Sequence, residues 1–540
     1  MKYLQIACLF AGILFTSCNE DFLDRTPLDF ASPDNYLETE GQVESMVNGV
    51  YNQLDFGGTT STYQRVYPFY LDCASDNVVN LSPWEGATDF ARGQVTSTNF
   101  RVAYQWTRNY QGIARANVFL TAMAENTKLK SDKIARYNAE VKFLRAWFYA
   151  DLITWFGDVP LLLVPGDLEN GQPARTPKAQ VLAQVLKDLD EAIPHLPDSY
   201  SDAKDNGRIT KGAGLAFKAR VLLYNSKWAE AAAAAKACMD LKKYSLFGNY
   251  EGLFLEANEA TVSKTEAILE VFYTPQTNAS FFQRPLMEWA PSYLPTLQLA
   301  ESYYMANGLP ITDPASGYDP ENPYMNRDPR LAASIYYPGA PWTIVFWNKI
   351  NLKFEDNWMM RYSGFKVKKW VNNGQAMDRS SGEGTNKLFI RYAEVLLTYA
   401  EAQNEASGPD ASVYAAIDQL RTRCGMATLT AAMPSLTKEQ MREVIRNERR
   451  VELVFEGLRF PDIQRWRIGE KVMVDAMGYD SKFLKDFSYP GDFNGTSDVW
   501  KYVPKVIDKR SFNPARDYLW PIPQNEMNSN VNMVQNPGYN

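Results

Sequence analysis

The stretch Ala139–Pro160, AEVKFLRAWFYADLITWFGDVP, decides how this chain is read. Phe143, Leu144, Trp147, Phe148 and Leu152 recur at steps of three and four residues, the period of one helix face. Gly157-Asp158-Val159-Pro160 then ends the run, because glycine and proline cannot continue it. The stretch predicts a long helix over Ala139–Phe156 whose aromatic face must pack against other helices. The same pattern returns further along the chain. Thr176-Pro177 predicts an N-cap followed by proline in the first helical position, with Val181, Leu182, Val185, Leu186 and Leu189 as the stripe. Gly212–Tyr224 and Trp228–Met239 predict a helical hairpin around Asn225-Ser226-Lys227, its second arm rich in alanine, which combines close packing with high propensity. Tyr392, Val395, Leu396 and Tyr399 mark a helix over Arg391–Ala406, closed by Gly408-Pro409. Thr437-x-x-Gln440 is a capping box opening a helix that runs to about Gly457. Helix pairs joined by short turns, without a strict period, predict an all-α scaffold of tetratricopeptide-like helical hairpins.

Between these arrays the composition changes. Phe247–Trp370 is dense in Pro, Gly, Asn, Tyr and Trp, and the tail from Tyr479 is similar. Large irregular loops with minor short strands are expected there; Phe346-Trp347 and Val367–Trp370 have strand-like character. The expected organisation is a helical part over about 35–245, a loop-rich part over about 246–385 and a second helical part over about 386–540. Long aromatic loops on a packed body are binding surface more often than linker.

Composition narrows the function. The 540 residues include 13 Trp, 31 Tyr and 28 Phe, which excludes disorder as the main state. A net charge of -7 argues against a nucleic-acid ligand, which needs a basic face. One histidine, His195, removes most zinc-hydrolase sites and makes any histidine triad depend on a single residue; between Pro194 and Pro197 it reads as an exposed turn. No metal site or cofactor is expected. Lys2, an apolar run from Leu4 to Phe15, and Thr16-Ser17-Cys18 together predict a secretory leader over residues 1–17, too short to stay across a bilayer. Cys18 in that setting is similar to the acylated cysteine of bacterial lipoproteins. Of the remaining cysteines, Cys8 leaves with the leader, while Cys73, Cys238 and Cys424 allow at most one disulfide; Cys238, on the alanine face, is expected to be a buried free thiol.

Short strings in a fixed order carry a family resemblance. They are Phe22-Leu23-Asp24-Arg25-Thr26-Pro27, Ala139-Glu140 with Phe143-Leu144-Arg145-Ala146, Phe156–Pro160, Thr210-Lys211-Gly212-Ala213, Asn307-Gly308-Leu309-Pro310 and Asp328-Pro329-Arg330. The series continues with Arg391-Tyr392-Ala393-Glu394, Glu448–Leu453, Phe455–Arg459, Trp520-Pro521-Ile522-Pro523 and Gln535–Tyr539. The combination resembles the SusD/RagB family of nutrient-binding lipoproteins across nearly the whole of residues 18–540. The resemblance implies a helical body with tetratricopeptide-like repeats, lipid-anchored through Cys18 to the outer membrane and facing outward, with Glu20 and Asp21 as a loose export signal. It implies a SusC-like TonB-dependent transporter as partner, a glycan or oligosaccharide as ligand, and no catalysis. It also makes Arg145, Glu140, Arg449 and Glu452 structural ion-pair positions.

The resemblance puts the ligand surface in two irregular regions, and the residues point the same way. Leu71–Phe100 holds Asp72, Asp76, Asn77, Trp84 and Asp89; the second region holds Phe281, Phe282, Arg284, Trp289 and Tyr293, interrupted by prolines. Flat aromatic rings lie against the C–H face of a pyranose, while Asp, Asn and Arg meet its hydroxyls. Asp76, Asn77, Trp84, Phe281, Phe282, Arg284, Trp289 and Tyr293 are therefore the candidate contacts, joined by Trp342, Trp347 and Trp358 from a later cluster. The alternatives are a peptide or other nutrient on the same scaffold, and a helical glycoside hydrolase using two carboxylates such as Asp72 with Asp76 or Glu266 with Glu270. Ligand contact and packing separate at Trp289. Trp289→Ala is expected to weaken binding in calorimetry while the thermal midpoint stays within a few degrees; a large loss of stability at unchanged affinity would assign it to the core.

Overall fold

Helices α1 (Glu40–Tyr51), α2 (Phe100–Ala124) and α3 (Ser131–Trp155) open the body. The computed structural model describes residues 37–54, 67–81, 86–166, 171–274, 292–340, 362–371, 384–479 and 502–539. Phe143, Leu144, Trp147, Phe148 and Leu152 are buried as the periodicity of α3 predicts, and Tyr137, Tyr149 and Trp155 join them. The helix is enclosed nearly all round. Its approach to α2 depends on Gly112, where a Cβ would stand 2.4 Å from a Phe148 ring carbon. Trp147 stacks on Phe217 at 4.4 Å, and Trp155 stacks on Trp520 of the C-terminal tail at 4.7 Å.

Packing continues through α4 (Lys178–Ala192) and the hairpin α5 (Lys211–Tyr224) and α6 (Trp228–Asp240). Helix α4 starts one residue later than expected. Thr176 forms a bridge with Val159, Pro177 takes the cap position, and Asp158 Oδ1 accepts the Lys178 amide at 2.7 Å. Cys238 is a buried free thiol, while Cys73 is buried and Cys424 half-buried; burial pushes the Cys238 thiol up to about 12. Short helices α7 (Leu297–Ser302) and α8 (Pro329–Ser334) lead to a second array: α9 (Tyr392–Ser407), α10 (Ala411–Arg423), α11 (Lys438–Glu452), α12 (Arg459–Arg465) and α13 (Gly469–Val472). Helix α9 packs on α6, joining the two arrays. Among the described residues the strands make four two-stranded antiparallel ribbons, and no larger sheet. The molecule is mainly helical with minor short strands.

The capping box of α11 is present: Thr437 Oγ1 accepts the Gln440 amide at 3.3 Å, and Gln440 Oε1 accepts the Thr437 amide at 2.9 Å. The helix stops at Glu452 rather than near Gly457. Phe455 and Gly457 take positive φ (61° and 78°), and the freed carbonyls of Val454 and Phe455 accept from Lys369 Nζ and Trp370 Nε1. Glu452 itself lies at the centre of a buried charge cluster. It binds Arg391 (2.7 Å), Arg423 (2.6 Å) and Arg330 (3.0 Å). Arg391 also holds Glu266 and Glu456, both at 2.7 Å; Arg330 also holds Glu448 at 2.6 Å and Asp328 at 2.8 Å. Arg145 pairs with Asp188, Glu140 with Arg208, and Arg449 with Asp462, so the four motif residues read as structural all sit in buried pairs.

Burial alone would raise the Glu452 carboxyl, but Arg423, Arg391 and Arg330 hold it well below the usual range. A carboxylate depressed in the folded state stabilises fully above its unfolded value of about 4.3, and that stabilisation is lost as pH falls. Glu452→Gln leaves buried guanidinium charge uncompensated. It is expected to cost about 3–5 kcal/mol at pH 7 in denaturant titration, with the gap to wild type narrowing below about pH 4.

Candidate functional site

Three of the ribbons have ends that meet in one neighbourhood. In β1 (Val78–Val79) with β3 (Leu294–Pro295), Val79 faces Leu294. Residues 82–85 therefore follow, and 275–291 precede, the same end of the ribbon. In β4 (Ile335–Tyr336) with β5 (Lys366–Val367), Tyr336 faces Lys366, and residues 341–361 lie in the connection. In β7 (Ala476–Tyr479) with β8 (Pro504–Asp508), Tyr479 faces Pro504, and residues 480–501 lie in the connection. The remaining ribbon, β2 (Ala267–Val271) with β6 (Lys387–Arg391), anchors the other end of 275–291.

One small apolar cluster ties these stems together. Val79, Leu294 and Ala476 are its buried members, with Leu81, Tyr362 and Ile507 packed against it. Each loop thus contributes a stem residue to one contact. Polar bonds reinforce it: Lys366 Nζ donates to the Ser292 carbonyl at 2.9 Å, the Tyr479 amide to the Ser363 carbonyl at 2.9 Å, and Arg510 to the carbonyls of Ser75 (2.6 Å) and Val78 (2.7 Å).

Beside the stems stands a group of tyrosines. Tyr324 stacks on Tyr337 with ring centres 4.2 Å apart, and Tyr502 meets Tyr324 edge-on at 5.8 Å and Tyr479 at 5.3 Å. The Tyr324 hydroxyl donates to that of Tyr479 at 3.0 Å, and burial raises the Tyr324 phenol well above its ordinary range. Tyr324, Tyr337 and Tyr502 remain half-buried. Arg327 fixes the turn that presents Tyr324 by donating to the carbonyls of Pro323, Ala300 and Tyr303 at 2.6–2.7 Å. Half-buried rings on a fixed backbone combine contact area with little entropy left to lose. Sequence reading missed these tyrosines. Their only signals are the turn strings Asn322-Pro323-Tyr324 and Tyr336-Tyr337-Pro338-Gly339.

The structure places Asp76, Asn77 and Tyr293 inside the body. Asp76 is buried and takes both Arg459 nitrogens, at 2.7 and 2.9 Å, and Arg450 at 2.9 Å. Burial would raise its carboxyl, but Arg450 and Arg459 bring it below its ordinary value. Asn77 accepts from Arg450 Nε at 2.8 Å and donates to Asp72 at 3.2 Å. Tyr293 is 1% exposed, within the main core. Bonds already made inside the body compete with any ligand for these polar atoms. Asp89 likewise accepts from Asn99 at 2.8 Å. Trp370 is core, packed 4.8 Å from Phe254, and His195 is exposed in a short turn. Trp84, Phe281, Phe282, Arg284, Trp289, Trp342, Trp347 and Trp358 lie outside the described residues, as do Cys18 and the leader.

Known proteins place this architecture. The family model described as the SusD family matches residues 264–539, and a second, described as starch-binding associating with outer membrane, matches residues 21–223. The chain belongs to the SusD family. This SusD-family chain is 26% identical over 512 residues to SusD-like protein P25 of Formosa agariphila, covering 87% of the chain and 92% of the relative. It superposes on the crystal structure of a SusD-like protein from Bacteroides fragilis with TM-score 0.78 and 26% identity, covering 95% and 100% of the two chains. A SusD-like carbohydrate-binding protein from the same organism gives TM-score 0.75 and 26% identity, covering 92% and 99%. SusD-family proteins bind and do not catalyse. Of the acid pairs considered, Asp76 is clamped by two arginines and Glu266 by Arg391 and Arg423. Among the described residues, no helix is long and apolar enough to cross a membrane.

The convergence of stems can be tested at Gly478 of β7. A Cβ there would stand 2.7 Å from the Ser363 carbonyl oxygen and 2.9 Å from its Cα, both backbone atoms that cannot swing aside. Gly478→Ala is expected to cost about 1–3 kcal/mol in thermal or denaturant unfolding, as overpacking does; a neutral result would show that the stems are not in close contact.

Proposed function

We propose that this protein is a surface glycan-binding lipoprotein whose ligand lies on the face where the stems of 82–85, 275–291, 341–361 and 480–501 meet. The single observation behind this reading is that four aromatic-rich segments start or end on one apolar cluster, beside half-buried Tyr324, Tyr337 and Tyr502. Sugars need broad flat surfaces with hydroxyl partners nearby, and tyrosine offers both in one side chain. Trp84, Phe281, Phe282, Arg284, Trp289, Trp342, Trp347 and Trp358 all belong to those segments and complete the contact set. The carbohydrate-binding relative and the starch-binding family description agree with a glycan as ligand. Residues 1–17 are the leader, and Cys18 carries the lipid that holds residues 18–540 at the outer membrane. The bound glycan passes to a SusC-like TonB-dependent transporter.

A glycan array followed by calorimetry identifies and measures the ligand. Tyr337→Ala combined with Tyr502→Ala removes two half-buried rings. It is expected to weaken glycan binding about ten-fold or more, on the order of 1–3 kcal/mol, with the thermal midpoint within a few degrees of wild type. Unchanged affinity in a folded variant would move the ligand to another face. Absence of any glycan ligand, with a peptide bound instead, would overturn the glycan assignment while keeping the face.

A further inference from the structure

A second polar cleft lies outside the loop stems. One face of α11 supplies Glu443, Arg446, Asn447 and Arg450, and the corner of α12 and α13 supplies Arg459, Ile468, Lys471 and Val472. Together they enclose about 310 Å³. The spacing 443, 446, 447 and 450 is that of a single helix face, so the two α11 arginines point the same way.

The charges in this cleft do not balance. Four cationic side chains line it, and the carboxylates bonded to them are Asp76 and Glu443. Asp76 is shared by Arg450 and Arg459, at 2.9 and 2.7 Å, while Glu443 reaches Arg446 at 3.3 Å and is itself largely in solvent. Arg450 Nη2 is buried 2.9 Å from Asp76 Oδ2, but without the alignment of a hydrogen bond. Arg446 lies over the Trp466 ring at 4.9 Å, and the nearby Glu401 is already taken by Arg465 and by Trp466 Nε1. Lys471 is exposed at the rim. Burial brings Arg450 down to about 10 against the opposing pull of Asp76, with adjacent Arg459 adding to the fall.

We propose that this cleft binds a tetrahedral oxyanion, sulfate or phosphate, free or as the ester of a sugar. Guanidinium forks pair with such oxygens two at a time, and Arg446 and Lys471, neither bonded to a buried carboxylate, add positive charge for a compact dianion. Glu443 is the carboxylate in the lining; behind the floor, Asp72 and Asp462 also act on Arg459, and Asp72 on Arg450. Arg450 and Arg459 form a floor fixed by Asp76; Arg446, over the Trp466 ring, and the exposed Lys471 form the other side. The volume exceeds what one oxyanion needs and leaves room for an attached ring. None of the lining residues is part of the tyrosine group or the loop stems, so the site stands or falls separately from the glycan face.

The test uses the full chain in detergent at pH 7, titrated with sodium sulfate in calorimetry at constant ionic strength against sodium chloride. Saturable one-to-one binding is expected in the wild type, weakened about ten-fold or more in Arg446→Gln with Lys471→Gln, which leaves the Asp76 clamp intact. Lys471→Glu reverses one charge at an exposed position that supports no packing, and it is expected to weaken sulfate binding on its own. Glucose 6-sulfate, with glucose as control, separates the sources: tighter binding than sulfate means the anion arrives on a sugar, and equal or weaker binding means the free ion is the ligand. No saturable heat beyond chloride, or unaltered affinity in both variants, would overturn the proposal.

Discussion

Glu452 holds together parts of the chain that share no local structure. Its carboxylate meets Arg330 of α8, Arg391 at the end of β6 and Arg423 at the end of α10, while its own helix is α11. The partners of those arginines extend the cluster to Glu266, Asp328, Glu448 and Glu456. Such a cluster is a poor source of net stability, because each ion must be desolvated before it can pair. Its value lies in discrimination. A shifted register of β6 or a rotated α10 would leave an arginine buried without an anion, and that penalty is steep. Apolar contacts favour many packings of similar area; the charges select one of them.

That selection reaches the proposed ligand face by a short route. Tyr250 and Phe254 lie against the cations of the cluster, with Lys369 Nζ 4.0 Å from the Phe254 ring centre and bonded to Glu456 at 2.8 Å. Lys369 lies two residues beyond β5, and β5 is one of the loop stems. Asp76 repeats the device on the other side: it receives Arg459 and Arg450, and it lies two residues before β1. Burial pushes neighbouring Asp72 up to about 7, against the Gly457 amide and Asn77 that bond it. The stems are thus fixed from beneath by buried charge and among themselves by Val79, Leu294 and Ala476. Loops anchored this way can vary in sequence without loosening the frame that carries them.

The helical body was legible because its signals are local. The stripe of α3, the capping box at Thr437 and the hairpin around Asn225–Lys227 all depend on residues within a few positions of one another, and each appears as read. Thr176 shows where locality stops: its preference for a cap lost to a bridge with Val159, a partner 17 positions away. The end of α11 shows the same limit, since carbonyls after Glu452 serve Lys369 and Trp370 instead of the helix. The arginine partners of Asp76 and Asn77 were hidden for a stronger version of this reason. A short acidic string before an irregular segment suits a sugar hydroxyl and a guanidinium equally well, and the guanidinium that claims Asp76 lies 383 residues away. No local pattern announces such a partner. Family likeness finds the scaffold, but it does not say which polar residues the scaffold has already used.

The tyrosines were missed because aromatic composition does not distinguish a ring that faces solvent from one that fills the core. Tyr293 and Tyr324 sit in similar proline-rich surroundings, yet one is enclosed and the other half-open. The difference lies in the backbone that carries each ring. Tyr293 enters a ribbon whose neighbours cover it, whereas Tyr324 tops a turn that Arg327 pins by its carbonyls. Pinning matters for a binding surface. A ring already fixed in place loses little freedom when a sugar covers it, so a larger share of the contact energy appears as affinity. A face built from such rings, over stems held together at Val79, Leu294 and Ala476, suits the proposed glycan ligand.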